Sequence, residues 1–442
     1  MNVVERSYMR GRTAASLAAS IEAGVRAGAI PPGTQLPTVR GLATDLSLSP
    51  ATVAAAYRGL RLRGMVSGAG RRGTRVSPRP PLPVRAAEPP PDWVRDRADG
   101  NPDPELLPAL APALRRIDRS ALYGEEVTGA ELAELARRDL EADAIPAAHL
   151  SIVGGALDGI ERALIARLRP GDRVAVEDPG FVRVFDLIAA LGLVCEPVAI
   201  DDFGMIPEDL ERVLARSVRA VILTPRAQNP TGAALDGTRA RDLAAAVAAH
   251  PQVLVIEDDH GGPVAGSKAH TTVGQRDGAW AVIRSVSKWL GPDLRLAFMS
   301  GDAETITRLE GRRLLGTGWV SHILQDIVAG LWTAPGTPSL LAAATELYVA
   351  RRFALVEALA DAGIEVGARS GWNLWVTVPD ESVATSGMLE RGWAVAAGEP
   401  FRLISAPAVR ITTARLDPSE AVALAEDLAA VLHARPTRSH SV

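Results

Sequence analysis

Residues 253–301 contain three short apolar runs, VLVIEDD (253–259), AVIRSVS (281–287) and LRLAFMSG (294–301). Runs of about four to eight residues with many β-branched side chains are typical of buried strands. Similar runs occur upstream: HLSIV (149–153), RVAVED (173–178), LVCEPVAI (193–200) and RAVILTP (219–225). Helical patterns separate several of them, such as ALDGIERALIARL (156–168) and GTRARDLAAAVAAH (237–250). This alternation predicts an α/β domain whose mostly parallel sheet is covered by helices.

The two ends of the chain follow other patterns. Long helical patterns at 339–363 and 419–434 flank a few strand-like runs, which predicts a smaller α+β lobe after residue 330. Residues 77–93, SPRPPLPVRAAEPPPDW, contain seven prolines in 17 positions and favour an extended spacer. We therefore expect an N-terminal domain over residues 1–77, a linker over 78–97 and a large domain over 98–436.

The N-terminal domain is predicted to contain three helices and a hairpin. Apolar residues repeat at helical spacing in residues 16–30, and TVRGLATDL (38–46) forms a second helix. Ser49 followed by Pro50 is a typical start for the third helix, SPATVAAAYRGLRLRG (49–64). Residues 65–76, MVSGAGRRGTRV, predict two short strands around a Gly/Arg tip. Three helices and such a hairpin make a winged helix-turn-helix.

The charge of the chain is divided unevenly. Residues 1–76 hold eleven arginines and three acids, a formal charge of +8, so with −4 overall the remainder carries −12. A basic head on an acidic body indicates a head that binds a polyanion such as DNA, with a merely solvated arginine-rich surface as the alternative. The third helix, with Thr52, Tyr57 and Arg58, beside a wing with Arg71 and Arg72, can enter a major groove while basic groups meet phosphates.

Several classes of protein are disfavoured. The lone Cys195 provides neither a disulfide framework nor a cysteine-based metal site, and we expect no metal. The apolar runs are too short to span a bilayer, and residues 1–12 lack the apolar core of a secretory signal. We expect a cytoplasmic protein without membrane association.

Lysine is nearly absent, since Lys268 and Lys288 are the only lysines among 48 basic residues. A lysine forms a Schiff base and an arginine does not. Lys288 ends the motif Ser285-Val286-Ser287-Lys288, and Arg295 lies seven residues further on. Pyridoxal 5′-phosphate needs an amine for its aldehyde, a carboxylate for its ring nitrogen and donors for its phosphate. We predict that Lys288 binds the aldehyde, that Ser285 and Arg295 hold the phosphate, and that Ser287 also contacts the cofactor.

Two upstream features suit the same cofactor. Asp258, near the end of VLVIEDDH, is predicted to pair with the ring nitrogen, with Asp259 as the alternative. Gly155 and Ala156 lie between a strand and a helix, where free N–H groups favour a phosphate. Taken singly these signals are weak, because a glycine pair is usually only a turn and an acid at a strand end is often only a cap.

The order of the motifs carries more weight than any one of them. The glycine loop, EDPGF (177–181), NPTG (229–232), EDD (257–259), SVSK with its arginine, and VRIT (409–412) follow one another in the order that resembles fold-type I aminotransferases, over roughly residues 98–435. The resemblance implies that Phe181 stacks on the cofactor ring, that Asn229 bonds its hydroxyl and that Arg410 binds a ligand carboxylate. It also implies that His260, where a tyrosine is usual, bonds the ring oxygen. In a head-to-tail homodimer, Tyr123 would reach the partner's phosphate.

Residues 28–76 resemble the GntR-type winged helix through PPG, LP, R-x-LA, S-x-x-TV and a glycine-rich wing. The resemblance implies that Arg40, Ser49, Thr52, Tyr57 and the wing approach DNA, although Pro50 and Ala54 stand where better-known members carry arginine. The alternative for Thr52 and Tyr57 is that they only pack the core of the three helices. A GntR head joined by a proline-rich linker to an aminotransferase-like body is the MocR architecture. Within that family, GNPDPELLP (100–108), TPRAQNPTG (224–232), SVSKWLGPDLRLA (285–297) and WVSHILQD (319–326) resemble the PtsJ type, whose members are linked to vitamin B6 metabolism.

These observations predict a DNA-binding transcription regulator that uses pyridoxal phosphate. The effector would be the cofactor itself, its adduct with an amino compound, or another B6 vitamer. The genes controlled would serve vitamin B6 supply, such as pyridoxal kinase, or amino-compound metabolism. The alternative is an active aminotransferase with a DNA-binding appendage.

Overall fold

The computed structural model describes residues 8–26, 29–62, 65–68, 73–77, 90–117 and 121–433. Two residues expected to contact DNA, Arg71 and Arg72, lie outside these ranges, as do residues 78–89 of the expected linker. The chain divides into a small unit that contains the N-terminal head, residues 8–77, and a larger unit that contains most of the body, residues 90–433.

The described part of the head has the predicted order of helices and hairpin. Its elements are α1 (Ala14–Arg26), α2 (Val39–Asp45), α3 (Pro50–Leu62), β1 (Val66–Gly68) and β2 (Thr74–Val76). β1 and β2 are antiparallel, with Val66 opposite Val76. The head has an apolar core of its own, whose members include Leu17, Ile21, Leu42, Val53, Leu60 and Val76.

Side-chain caps begin two of the head's helices. Thr38 accepts a hydrogen bond from the Gly41 N–H at 3.1 Å at the start of α2. Ser49 accepts one from the Thr52 N–H at 3.1 Å at the start of α3, as the Ser-Pro pair predicted. Both contacts satisfy N–H groups that the first turn of a helix leaves free.

The body alternates strands and helices along the chain. Its strands are β3 (Arg95–Asp96), β4 (Leu150–Val153), β5 (Arg173–Asp178), β6 (Val194–Asp201), β7 (Gly204–Met205), β8 (Val218–Leu223), β9 (Leu254–Asp259), β10 (Trp280–Ser285), β11 (Ala297–Gly301), β12 (Asn373–Thr377), β13 (Trp393–Ala394), β14 (Ala396–Ala397) and β15 (Ala408–Thr412). Its helices are α4 (Ala111–Leu114), α5 (Ala130–Ala142), α6 (Ala156–Arg167), α7 (Val182–Ala190), α8 (Pro207–Leu214), α9 (Gly237–Ala248), α10 (Ala303–Arg313), α11 (His322–Trp332), α12 (Thr337–Asp361), α13 (Glu381–Glu390) and α14 (Ala421–His433).

Eight strands form the main sheet, in the order β4-β11-β10-β9-β8-β5-β6-β7. β8, β9 and β10 run parallel at its centre, whereas β11 is antiparallel to both β10 and β4, and β7 is antiparallel to β6. Every residue of β9 and β10 is buried, as expected for strands covered on both faces. The predicted parallel sheet is thus confirmed at its centre, and antiparallel strands extend it.

The smaller lobe contains the sheet β12-β15-β14, in which neighbouring strands are antiparallel. The side chains of a separate apolar core join this sheet to the end of α12 and to α13 and α14, among them Leu359, Leu374, Met388, Ile411 and Leu428. The lobe predicted after residue 330 is confirmed.

Two expected boundaries are corrected by the structure. The strand expected over 294–301 begins at Ala297, because a 3-10 turn ends at Leu294 and Arg295 adopts a left-handed conformation with φ 44°. The linker expected to end at residue 97 ends earlier, because β3 pairs with β13 in the small lobe and Arg97 is buried.

Among the described residues, no single helix is both long and apolar enough to cross a bilayer. By length and composition alone, α11 and α12 pass as a pair, bent by 77°.

Candidate functional site

The predicted site residues gather where the central strands end. β9 and β10 are parallel, and Asp258 lies opposite Ile283, two residues before Ser285. The acid expected for the ring nitrogen and the turn that carries Lys288 are therefore at the same edge of the sheet. Ligands of open α/β folds bind outside this carboxyl edge.

Asp258 is a buried carboxyl group with an unused oxygen. Its side chain is 6% exposed, and its Oδ1 has no hydrogen-bond partner among the residues that the structure describes. Burial, with the nearby charges of Asp259 and Glu177, raises the pKa of Asp258 to about 7. A buried carboxylate without a partner lowers the stability of the fold. A ligand that is positively charged or donates a hydrogen bond would therefore bind favourably to this oxygen.

Asp259, the alternative candidate, is already committed to two arginines. Arg226 donates two hydrogen bonds to it, Nε to Oδ1 at 2.9 Å and Nη2 to Oδ2 at 2.8 Å. Arg284 Nε donates to Oδ2 at 2.7 Å. These two guanidinium groups hold the pKa of Asp259 well below its usual range despite its burial. The geometry favours Asp258 over Asp259 for the ring nitrogen.

His260 lies beside the lysine. Burial, and then the positive charge of Lys288, lower the pKa of the His260 imidazole to about 4. The ring is therefore neutral at neutral pH, so that one ring nitrogen is able to donate a hydrogen bond and the other to accept one.

Lys288 follows β10 in a short turn. Its Nζ donates a hydrogen bond to the Gly100 carbonyl at 3.0 Å and lies 5.6 Å from the centroid of the Trp372 ring. Burial, and then the positive charge of Arg410, lower the pKa of Lys288 to about 8. A larger fraction of the amine is consequently unprotonated at neutral pH, which is the form that attacks an aldehyde.

The residues expected to hold the phosphate form two groups of contacts, Arg295 with Gly155 and Ser285 with Ser287. A Cβ placed on Gly155, whose φ is +101°, would lie 2.9 Å from Arg295 Nη2. Ser285 Oγ donates to Ser287 Oγ at 2.9 Å, and the Ser287 N–H donates to Ser285 Oγ at 3.2 Å. Ala156 begins α6, so the first turn of that helix opens at the same loop. A guanidinium beside a helix start without a side chain between them suits an anion.

Arg410, on β15, is a buried cation that contacts neutral groups. It is 5% exposed, and its Nη1 donates to Asn229 Oδ1 at 3.1 Å. Its Nη2 donates to the Ala98 carbonyl, and its guanidinium carbon lies 4.7 Å from the centroid of the Phe401 ring. Burial lowers the pKa of Arg410 to about 10, so that it remains charged at neutral pH. Its Nε has no hydrogen-bond partner within the described ranges.

Phe181 and Tyr123 are the remaining residues predicted to contact the cofactor. Phe181 follows β5 and is half-buried, next to Gly180, whose N–H donates to the Phe401 carbonyl at 2.7 Å. Tyr123 is 92% exposed and meets the Trp319 ring edge-on at 5.6 Å between centroids. Its predicted reach into a partner subunit stays a prediction.

In the head, the expectation that Tyr57 approaches DNA is corrected. Its side chain is 2% exposed and belongs to the apolar core, and its hydroxyl donates to the Pro37 carbonyl at 2.9 Å. An apolar spacing along α3 would have indicated this role. Arg40, Ser49 and Arg58 are exposed, in keeping with their predicted access to DNA.

Sequence reasoning missed two groups of residues at this site. Glu177 on β5 is buried next to Asp258, and it accepts hydrogen bonds from the Thr224 N–H at 3.0 Å and from Gln228 Nε2 at 3.1 Å. Glu177 is the first residue of the EDPGF motif, and its place in that motif could have identified it. The second group, residues 97–101, contacts both Lys288 and Arg410 and overlaps the end of the expected linker.

The chain matches two family models. Residues 122–428 match the family described as aminotransferase class I and II, and residues 13–76 match that described as bacterial regulatory proteins, gntR family.

One relative covers nearly the full length of the chain, and others cover about four fifths of it. The vitamin B6 salvage pathway transcriptional repressor PtsJ of Salmonella typhimurium is 42% identical over 424 residues, 95% of this chain and 98% of that protein. The HTH-type transcriptional regulator TauR of Rhodobacter capsulatus is 27% identical over 402 residues, 80% and 82% of the two chains. A solved kynurenine aminotransferase of Pyrococcus horikoshii superposes with a TM-score of 0.70 at 22% identity, covering 79% of this chain and 95% of that chain, a likeness that shows the fold alone.

Proposed function

Since this chain belongs to the gntR family of bacterial regulatory proteins and, over most of its length, to the class I and II aminotransferase family, we propose that it is a transcription regulator whose binding to DNA responds to pyridoxal 5′-phosphate. In this proposal the head binds DNA and the body holds the cofactor. The body also pairs two chains as a homodimer, in which Tyr123 of each reaches the other's site.

The unpartnered oxygen of Asp258 is the observation that carries the proposal. A buried carboxylate without a hydrogen bond costs stability unless a ligand completes it, and a protonated ring nitrogen is such a partner. The surrounding residues fit the rest of the cofactor. Lys288 offers an amine, and Gly155 leaves room beside Arg295 where any Cβ would intrude.

Each residue has a defined part in holding the cofactor. Asp258 would bond the ring nitrogen, His260 and Asn229 the ring oxygen, and Phe181 the ring face. The phosphate would be held by the loop at Gly155 and Ala156 together with Ser285, Ser287 and Arg295. When bound, pyridoxal phosphate supplies an aldehyde that captures amines and a ring that withdraws electrons.

The target genes are inferred from the relative of known role. The 42% identical protein carries the name of a vitamin B6 salvage pathway repressor. We infer that this chain likewise controls genes of vitamin B6 supply and that the cofactor, or a B6 vitamer or amino-compound adduct in its site, is the signal.

The proposal is tested by titrating the full-length protein onto a duplex from its own promoter region, with and without pyridoxal phosphate. Coupling between two ligands usually changes affinity about 5- to 150-fold. We expect a change of that size on adding the cofactor, measured by fluorescence anisotropy. Equal affinity in both conditions, or no binding to the promoter in either, would contradict the proposal.

An active aminotransferase is the second candidate, because Lys288 has a lowered pKa and Arg410 keeps its charge in the site. The two functions differ in a direct assay. Sustained release of keto acid from an amino acid and a keto-acid acceptor, together with DNA affinity that ignores the cofactor, would favour the enzyme.

Replacing Asp258 should have opposite effects on the fold and on cofactor binding. The unfolded chain releases this proton near the ordinary pKa of 3.8 and the folded chain near about 7, so ionising the buried group costs stability as the pH rises through that window. Asp258→Asn removes the cost. In the cofactor-free protein, we expect the free energy of unfolding to rise by on the order of a few kcal/mol above pH 7 and little below the ordinary pKa.

The same variant should bind the cofactor more weakly. A hydrogen bond to a charged group contributes roughly 1.5–3 kcal/mol, so we expect a loss of about ten- to hundredfold in a cofactor titration. Asp242→Asn, at an exposed position of α9, is the matched control and should change neither quantity. If Asp258→Asn bound the cofactor like the wild type, the ring-nitrogen role would pass to another residue.

Gly155→Ala should weaken phosphate binding specifically. The new Cβ would lie 2.9 Å from Arg295 Nη2, so the guanidinium must move from its position. Gly171→Ala is a matched control, because Gly171 has a similar φ of +96° and nothing lies within 4 Å of its Cβ position. Both variants should lose about 1–3 kcal/mol of stability from backbone strain.

Only Gly155→Ala should lose affinity for pyridoxal phosphate, by about tenfold or more if one charge-assisted hydrogen bond is lost. Its affinity for pyridoxal, which has no phosphate, should change little. Equal losses for both ligands would mean that Gly155 does not border the phosphate.

A further inference from the structure

Residues 97–101, which we call the strap, lie across the two cations of the candidate site. The Gly100 carbonyl accepts a hydrogen bond from Lys288 Nζ at 3.0 Å. The Ala98 carbonyl accepts one from Arg410 Nη2. Two backbone oxygens of one short segment thus accept hydrogen bonds from the amine that the proposed function assigns to the cofactor and from the guanidinium that is expected to bind a ligand carboxylate.

The strap fits closely against Arg410. Gly100 has a φ of +70°, and a Cβ placed on it would lie 3.2 Å from Arg410 Nη2. The Asp99 carboxylate is near both cations, since its charge favours the protonated forms of Lys288 and Arg410 and so opposes the lowering of each pKa by burial. A ligand carboxylate that approaches Arg410 therefore comes into contact with the strap.

A carboxylate is nevertheless the stronger partner for Arg410. The carbonyl oxygen carries only a partial negative charge, whereas a carboxylate carries a full charge and can accept two parallel hydrogen bonds from one guanidinium. The Nε of Arg410 has no partner within the described residues, so the guanidinium has a further donor to offer a ligand with two oxygens. Exchange of a carbonyl for a carboxylate at this position therefore favours the ligand.

We propose that the strap is an intrachain occupant of the ligand subsite and that a ligand bearing a carboxylate displaces it from Arg410. This inference rests on the proposed function of the same site. It makes a carboxylate compound the class of ligand that moves this part of the chain.

The strap is attached to its surroundings at several points. At its start the Arg97 N–H donates to the Ala394 carbonyl at 2.8 Å, and the Thr412 N–H donates to the Arg97 carbonyl at 2.8 Å. Two ion pairs fix its side chains, Arg97 Nη2 to Glu420 Oε2 at 2.8 Å and Arg415 Nη2 to Asp99 Oδ2 at 2.7 Å. The second of these pairs is partly exposed and holds the segment between the two carbonyls.

The strap also continues directly into the chain that leads to the head. Residues 77–93, seven of them proline, separate the head from the segment of which β3 is part. β3 itself is only two residues long. Residues 97–101 therefore lie close in sequence to the chain that leads to the DNA-binding domain.

Hydrogen–deuterium exchange of the full-length protein tests the displacement. The probe is propionate, a carboxylate without an amine, and its neutral amide, propionamide, is the control. Propionate should speed exchange in the peptide that covers residues 94–103, while β8 stays unchanged and propionamide has no effect. Propionate that binds without changing exchange in this peptide would overturn the proposal, and so would propionate that does not bind.

Arg415→Ala provides a second test, because it removes the Asp99 anchor without touching Lys288 or Arg410. Loss of a partly exposed ion pair such as Asp99–Arg415 corresponds to about a two- to fivefold change in the affinity for propionate. Propionate should therefore bind Arg415→Ala about two- to fivefold more tightly in calorimetry. Loss of a nearby positive charge would by itself weaken anion binding, so the direction of the change is decisive.

Arg391→Ala is the matched control, since Arg391 forms a similarly exposed ion pair with Asp427 in the same lobe, at 3.5 Å. It should leave propionate affinity unchanged. Equal or weaker binding by Arg415→Ala would overturn the proposal. Both tests are run without cofactor, so failure of propionate to displace the strap is distinguished from failure of the protein to bind pyridoxal phosphate, which would overturn the proposed function.

Discussion

Lys288→Ala is expected to abolish covalent attachment of pyridoxal phosphate to the chain. Lys288 is one of two lysines, and it lies in the turn after β10 with its pKa lowered to about 8, beside His260. The other, Lys268, is exposed and borders a separate surface cleft with Asp236, His270 and Arg369. Borohydride reduction followed by mass spectrometry of the intact protein should find the cofactor mass on the wild type and not on the variant.

Lys268→Ala is the matched control and should retain the adduct. The variant at Lys288 should still bind some cofactor without a covalent bond, because Asp258 and Arg295 remain. A reducible adduct that survived in Lys288→Ala would show that the amine lies elsewhere, and loss of the adduct in Lys268→Ala would do the same.

The elements around this lysine could be predicted because each one is encoded locally. The runs that became β9 and β10 are continuous apolar segments, and the residues that follow them stand at the carboxyl edge by the rules of parallel sheets. Lys288 was conspicuous because the chain otherwise uses arginine. For these residues, sequence and structure agree on position, while their roles await the experiments above.

In the sequence, the preference for Asp258 over Asp259 rested on the family pattern alone. Both acids fit the EDD motif. Because adjacent residues of a strand point to opposite faces of the sheet, their surroundings differ. Those surroundings come from Arg226 and Arg284, which are 33 and 25 positions from Asp259 along the chain. No local pattern records such a pairing.

The strap and Tyr57 were misjudged for a different reason. The strap follows a proline-rich stretch, and a two-residue strand such as β3 has too few positions to display any period. Tyr57 carries both an apolar ring and a hydroxyl, so its type fits a DNA contact and a core position equally well. Its bond to the Pro37 carbonyl, twenty residues away, depends on how α2 and α3 pack.

Binding of the full-length protein to DNA is expected to fall steeply with salt. The head carries a formal charge of +8, and each phosphate that it neutralises releases counterions. A protein with roughly 6–10 phosphate contacts loses about 10³–10⁵ in affinity between about 50 and 200 mM salt. Fluorescence anisotropy over a salt series gives the slope of log affinity against log salt.

Variants of exposed and half-buried residues on α2 and α3 should separate the contribution of phosphate contacts from that of groove contacts. Arg40→Ala with Arg58→Ala should weaken binding to every duplex and flatten the slope by about one unit per lost phosphate contact. Thr52→Ala should instead cut the preference for the promoter duplex over a random one, by about 1–3 kcal/mol for a lost base contact, because groove contacts specify and phosphate contacts position.

Tyr57→Phe is the control: loss of its bond to Pro37 should cost the head about 0.5–1.5 kcal/mol of stability and leave both parts of DNA binding intact. A salt slope near zero in the wild type would mean that the head makes no phosphate contacts, and a Thr52→Ala variant that weakened both duplexes equally would mean that Thr52 does not read the groove.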